Sequence, residues 1–284
     1  MTAPREEIIS VASRDDRLFG IAHYPADDAP RRGAAIVVCH PFGDEKKAAH
    51  RVLCMAARRF ASMGFAVLRF DLSGCGDSTG DFIDATWGRW VDDARASAAR
   101  TRELFGVKRV GFLGLRLGAN LAAAAGGDFV VLWEPIETGD AFVKQLVRKK
   151  MMKEMITDGQ ASTSAGAIDA ALEDHGHIDA DGYALSKTLF DDLKTVGLMA
   201  QTPEAPLAFI LLIRHSEKVP QGFESVAKAW YNRGTKCDVA ALRCPPFWDR
   251  IEIMEPTGVF ELTENWLDRA SGASSTAQNG EATS

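Results

Sequence analysis

The sequence predicts an α/β domain, a mostly parallel central sheet with helices on both faces and one helical insertion. Short, continuous, β-branched apolar runs recur along the chain, such as Ala34 to His40 and Phe65 to Asp71. Such runs suit strands buried on both faces. Segments of helical period separate them, and strand–helix alternation implies parallel pairing. The rhythm breaks between Pro135 and about Pro206, then resumes with LAFILLI.

The runs IISVAS and RLFGIAHY alternate and predict an antiparallel edge pair ahead of the Ala34 to His40 strand. From Lys46 to Met63, Ala49, Val52, Leu53, Ala56, Ala57 and Phe60 recur at helical spacing, with Gly64 as the stop. A helix from about Trp87 to Phe105, a strand from Arg109 to Gly114, a helix from about Leu117 to Ala125 and a strand from Phe129 to Glu134 follow. In the insertion, KQLVRKKMMKEM and LSKTLFDDLKTVGLM read as amphipathic helices, with DGQASTSAGA as a loop or linker between them. Beyond Leu207 to Ile213 come a helix around Phe223 to Tyr231, a strand near CDVAAL and a last helix around Thr257 to Ala270. The expected division is a core of 1–134 and 207–270, a cap insertion of 135–206 and a disordered tail of 271–284.

A chain of 284 residues with a net charge of −6 can bury a large core but lacks the cationic surplus of a general phosphate-backbone binder. Nucleic acid is not an expected partner. The N-terminal residues do not read as a secretory signal, and no apolar stretch is long enough to span a bilayer. The five cysteines have no metal-ligand spacing, and His175 and His177 form an H-x-H pair with no third ligand in view. The expectation is therefore a cytoplasmic protein with neither metal nor cofactor.

One turn should carry any chemistry. The strand RVGFL runs into Gly114-Leu115-Arg116-Leu117-Gly118 and then a helix. This arrangement resembles the G-x-S-x-G nucleophile elbow of α/β-hydrolases, with Arg116 where the serine stands. A guanidinium stays protonated and cannot attack a carbonyl; it can bind a carboxylate or phosphate, or plug the old pocket with an ion pair. The acid and the histidine should follow in that order. Arg214-His215-Ser216-Glu217-Lys218-Val219-Pro220 resembles the acid loop, with Ser216 in the aspartate's place and Glu217 beside it. No histidine lies beyond His215; the loop before the last helix reads Cys244-Pro245-Pro246-Phe247-Trp248-Asp249, so Trp248 marks the region of the missing base.

Other parts of the expected site remain. Cys39-His40-Pro41-Phe42-Gly43 occupies the place of the oxyanion-hole loop, and the amides of Phe42 and Leu117 are the candidate donors, with His40 beside them. Asp71 to Gly80 resembles the D-x-x-G-x-G-x-S-x-G loop that shapes the pocket wall in these hydrolases. In an unconventional hydrolase a water or Cys75 of that loop would be the nucleophile and His40 or His215 the base. Arg148, Lys149, Lys150 and Lys153 form a basic cluster on an insertion helix, either a solvated face or a site for an anion, a lipid headgroup or a protein.

HPFGDEKKAAHR, DLSGCGDSTGDF, GLRLGA and LWEPIETGDAFVKQLVRKK together resemble the hydrolase-like proteins associated with the exosortase A system of bacterial surface-protein sorting and exopolysaccharide production. The resemblance runs from about Gly33 to Trp266, and it implies an α/β-hydrolase fold with a cap. Three functional readings follow. The first is a degenerate hydrolase that binds a small acidic or acyl ligand, or a protein partner, above Arg116. The second is an unconventional hydrolase of an ester, amide or thioester. The third is an assembly protein whose Arg116 is locked to an internal carboxylate.

Overall fold

The computed structural model describes residues 4–158, 164–180, 182–199, 201–250 and 252–272. Strands β1 (Glu6–Ser13) and β2 (Asp16–His23) form the expected antiparallel edge. They are followed by β3 (Ala34–Cys39), α1 (Asp44–Ser62), β4 (Ala66–Phe70), α2 (Trp87–Phe105), β5 (Arg109–Leu115), α3 (Leu117–Ala125) and β6 (Val130–Trp133). After the segment between β6 and β9 come β9 (Leu207–Arg214), α7 (Gln221–Tyr231), β10 (Lys236–Arg243) and α8 (Thr257–Gly272). The main sheet runs β1-β2-β4-β3-β5-β6-β9-β10, antiparallel from β1 to β4 and parallel from there on.

The unbroken apolar character of the central strands follows from two-sided burial. All six residues of β3 are buried. Alternate side chains enter opposite layers, because strand side chains point to opposite faces. Ala35 and Val37 pack with Trp90 and Ala94 of α2 and Leu121 of α3. Ile36 and Val38 pack with Val52 and Phe60 of α1 and Val259 and Trp266 of α8. Trp133 ends β6 fully buried, its indole Nε1 donating to Thr263 Oγ1 of α8 at 3.0 Å.

Chain direction through the sheet reverses at β3: β4 lies on one side of it and β5 on the other. Ligand crevices in open α/β sheets form beyond the carboxyl ends of the strands at such a switch point. Here it brings the loop from His40 to Gly43 beside the turn at Arg116.

The segment between β6 and β9 departs from the sequence expectation. Helix α4 (Gly139–Asp158) extends beyond the basic amphipathic stretch, and α5 (Ala165–His175) begins inside the stretch expected to be a loop. Ser164 caps α5, its Oγ accepting from the Ala167 amide at 3.1 Å, and Gly176 closes it in a left-handed conformation. The H-x-H pair straddles that stop: His175 ends the helix, and His177 opens the hairpin of β7 (His177–Ala180) and β8 (Tyr183–Ser186). The second expected helix is therefore shorter, since Leu185 and Ser186 belong to β8 and α6 covers Lys187–Thr195. Helix α4 packs on α6, and β8 packs on the 3₁₀ turn Phe82–Asp84. The expected disordered tail lies outside the described residues from 273 onward.

Candidate functional site

The turn after β5 has the geometry of a nucleophile elbow. Arg116 takes φ 57° and ψ −123°, a conformation that L side chains rarely adopt. The flanking glycines are required by contact. A Cβ on Gly114 would lie 2.0 Å from the Gly118 carbonyl oxygen, and one on Gly118 would lie 2.3 Å from the Cys39 oxygen and 2.4 Å from the His40 oxygen. At these two glycines strand β5, helix α3 and the end of β3 meet backbone to backbone.

The arginine's side chain is spent on its neighbours. Its Nε donates to Glu45 Oε1 at 3.4 Å and its Nη2 to Gln145 Oε1 of α4 at 3.4 Å. The guanidinium carbon stands 5.5 Å from the centre of the Trp248 ring, a cation–π arrangement. Only 11 % of the Arg116 side chain and 9 % of the Glu45 side chain are exposed. Burial pushes the Glu45 carboxyl above its ordinary range, and Arg116, then Lys149, pull it back. Glu45 Oε2 is buried without a hydrogen-bond partner. Trp248 sits in a 3₁₀ turn, Phe247–Asp249, in the loop expected to hold the base. Arg116 and Trp248 thus meet, joining the turn and the loop in which the sequence pattern leads one to expect a serine and a histidine.

The acid-loop position is also remodelled. Ser216 accepts the Lys218 amide at 3.1 Å, and Ser216, Glu217 and His215 are all exposed. None of the three lines the cavity beside the elbow. The buried carboxylate in this region is Glu134, at the end of β6, with φ 40°. It accepts the Ile213 amide at 2.7 Å and Arg214 Nε at 2.8 Å, while Arg214 Nη2 reaches Glu137 at 2.7 Å. Burial raises the Glu134 carboxyl and Arg214 lowers it. Sequence reasoning missed Glu45, Gln145 and Glu134. Glu45 reads as an ordinary first-turn acid of α1, and only the distance from Arg116 marks it.

Phe42 and Leu117, the candidate oxyanion donors, line one cavity of about 400 Å³. The Leu117 amide is in the first turn of α3, where N–H groups have no intrahelical acceptor. The walls are aromatic and aliphatic: Phe82, Trp87, Trp90, Leu121 and Tyr183 complete them, with Phe42 6.0 Å from Phe82 and 6.2 Å from both Trp90 and Tyr183 between ring centres. Lys46, Lys47 and His50 also line it. Arg116 is not among the lining residues. Glu45, Gln145 and Trp248 hold its guanidinium, and Glu45 and Gln145 line a neighbouring cavity of about 380 Å³.

His40 lines the same cavity with its imidazole held neutral. Its Nδ1 is 2.9 Å from the Pro41 carbonyl oxygen, so Nδ1 carries the proton, and its Nε2 is buried without a hydrogen-bond partner, 3.9 Å from Asp71 Oδ1. Burial, then the Lys46 charge, pulls its pKa down to about 4. Asp71 accepts Lys46 Nζ at 2.5 Å and the Asp77 amide at 3.1 Å, and Ser78 Oγ donates to the Asp71 carbonyl oxygen. These bonds fold the Asp71 to Gly80 loop into a wall. Cys75 in that wall is a thiol pushed up to about 12 by burial, which is the opposite of an activated nucleophile. Among the described residues no group of His, Cys, Asp and Glu side chains could hold a metal ion, and no helix is long and apolar enough to cross a membrane.

No family model matches the chain, and no curated protein matches it. Solved structures do. Est1E from Butyrivibrio proteoclasticus with ferulic acid bound is 16% identical with a TM-score of 0.61, over 92% of this chain and 98% of that one. Proline iminopeptidase from Mycobacterium smegmatis is 15% identical with a TM-score of 0.59, over 94% and 100%. XC6422 from Xanthomonas campestris, described as an α/β serine hydrolase without lid, is 17% identical with a TM-score of 0.57, over 93% and 94%. At these identities the likeness speaks for architecture alone. Strand order, elbow and chain-long superposition agree, and the protein has the α/β-hydrolase fold.

Proposed function

We propose that this chain is a catalytically degenerate hydrolase that binds a small acyl ligand, acidic at one end, in the cavity beneath Phe42 and Leu117. The observation that carries the reading is the separation of the two halves of the old site. The cavity is lined by Leu117 but not by Arg116, whose guanidinium is held by Glu45, Gln145 and Trp248. A volume of about 400 Å³ with aromatic walls and a few basic groups suits a compact amphipathic ligand. The 135–206 segment acts as the cap over it. Arg116 in this reading is a plug that keeps the elbow's shape without its chemistry. The resemblance to exosortase-associated proteins supports a surface-polymer context for such a ligand, and the five cysteines without metal-ligand spacing support a cytoplasmic setting.

An unconventional hydrolase is less well supported, since Cys75 is held as a thiol and His215 lies away from the cavity. His40, though on the cavity wall, has its pKa pulled down to about 4 and is a weak base for activating water. Decanoate is the test ligand. Trp87 and Trp90 line the cavity, so titration is expected to quench tryptophan fluorescence saturably in the wild type. Cys75→Phe, which puts a ring into the cavity, is expected to weaken binding at least about tenfold, a difference of roughly 1.4 kcal/mol. Unsaturable quenching, or equal affinity in the variant, would remove this cavity as the site.

A further inference from the structure

The outer half of α4 carries an exposed apolar stripe among cations. Met152 is 63 % exposed, Met155 59 % and Ile156 83 %, three exposed large apolar side chains within one helical turn and a half. Lys144, Arg148, Met152 and Ile156 follow one another at four-residue steps and so form a single row along the helix, with Met155 beside it. Between Lys144 and Ile156 the chain has five cations and one carboxylate. That carboxylate, Glu154, pairs with Lys150 at 3.4 Å and lies off the row.

From this pattern we infer that α4 is a docking helix for an anionic phospholipid surface, independently of what the cavity holds. Unbranched, adaptable methionines with an isoleucine would enter the headgroup boundary, while Lys144 and Arg148, both exposed, would meet the lipid phosphates. Charge complementarity favours this occupant. Lys149 pairs with Asp249 at 2.7 Å and Lys150 with Glu154, so Lys144 and Arg148 carry the positive charge of the row. In a chain of net charge −6 they would turn the molecule helix-first toward a negative surface. The placement also fits the rest of the fold. Ile156 and Lys153 line a cavity of about 380 Å³ to which Phe42 also contributes, and Phe42 is a wall of the acyl cavity. The docked face would therefore adjoin a route to the site.

Co-sedimentation with vesicles tests the inference. The wild-type chain is expected to bind vesicles of phosphatidylcholine with phosphatidylglycerol, to bind phosphatidylcholine alone much less, and to be released by salt. Lys144→Ala with Arg148→Ala should weaken binding by about twenty-fivefold, at roughly fivefold for each cation lost. Met152→Asp with Ile156→Asp, both at exposed positions, should abolish binding while leaving the melting temperature unchanged. Equal binding to both vesicles, no binding to either, or full binding by the aspartate variant would overturn it. A wild-type dimer that the aspartate variant dissociates would assign the stripe to a second copy of the chain instead.

Discussion

Gly114→Ala is expected to be severely destabilising, though it adds a single methyl group. The new Cβ would stand 2.0 Å from the Gly118 oxygen and 2.5 Å from the Ala119 nitrogen, both backbone atoms that no rotamer change can move. Relief requires shifting α3 off β5 and, through Gly118, away from the end of β3. Overpacking of this kind should cost more than about 4 kcal/mol. Thermal unfolding should show a melting temperature at least roughly 8 °C lower, or no folded protein at all. A variant within 2 °C of wild type, a threshold set on the same rough scale, would mean that the elbow backbone is looser than its contacts imply.

Arg116→Ala is expected to cost about 3 kcal/mol, because it leaves the Glu45 carboxyl buried with no opposing guanidinium. The pH dependence gives the loss its signature. Glu45 is an acid whose folded-state pKa lies above its unfolded value even with Arg116 present, so ionising it already disfavours the fold as pH rises through that raised value. Removing Arg116 raises it further. The deficit of the variant should be small below about pH 4, where Glu45 is protonated in both states, and full at neutral pH. Glu45→Gln in the same chain should restore most of the stability, and Arg116→Gly should suffer about 1 kcal/mol less than Arg116→Ala, since glycine accepts φ 57° without strain. Denaturant unfolding from pH 4 to 8 reads all three. A deficit independent of pH would show that the Glu45 ion pair is not what holds Arg116.

The core was legible because its physics is local. Two-sided burial makes β3 and, apart from the terminal Arg109 and Arg214, β5 and β9 apolar, and the periodic helices α2 and α3 begin and end where the sequence places them. The segment between β6 and β9 was legible only in part. Ser164 and Gly176 cap α5 correctly, but the Ser- and Gly-rich run before it reads as linker, and the hairpin strands β7 and β8 are too short to show a period. Within the site, the loss of serine and histidine can be read from the chain. Their replacement by a buried Arg116, Glu45 and Trp248 cluster cannot, because Glu45 lies far from Arg116 in sequence and meets it only at the switch point between β3 and β5.

The most direct test of the account is one titration with p-nitrophenyl decanoate, followed at once by tryptophan fluorescence and by release of p-nitrophenolate. The prediction is saturable quenching by wild-type protein with release no faster than in buffer, and the same absence of release in Arg116→Ala. Protein-dependent release that saturates with the quenching curve would contradict it, and would make this chain an acyl hydrolase with a nucleophile other than the elbow residue.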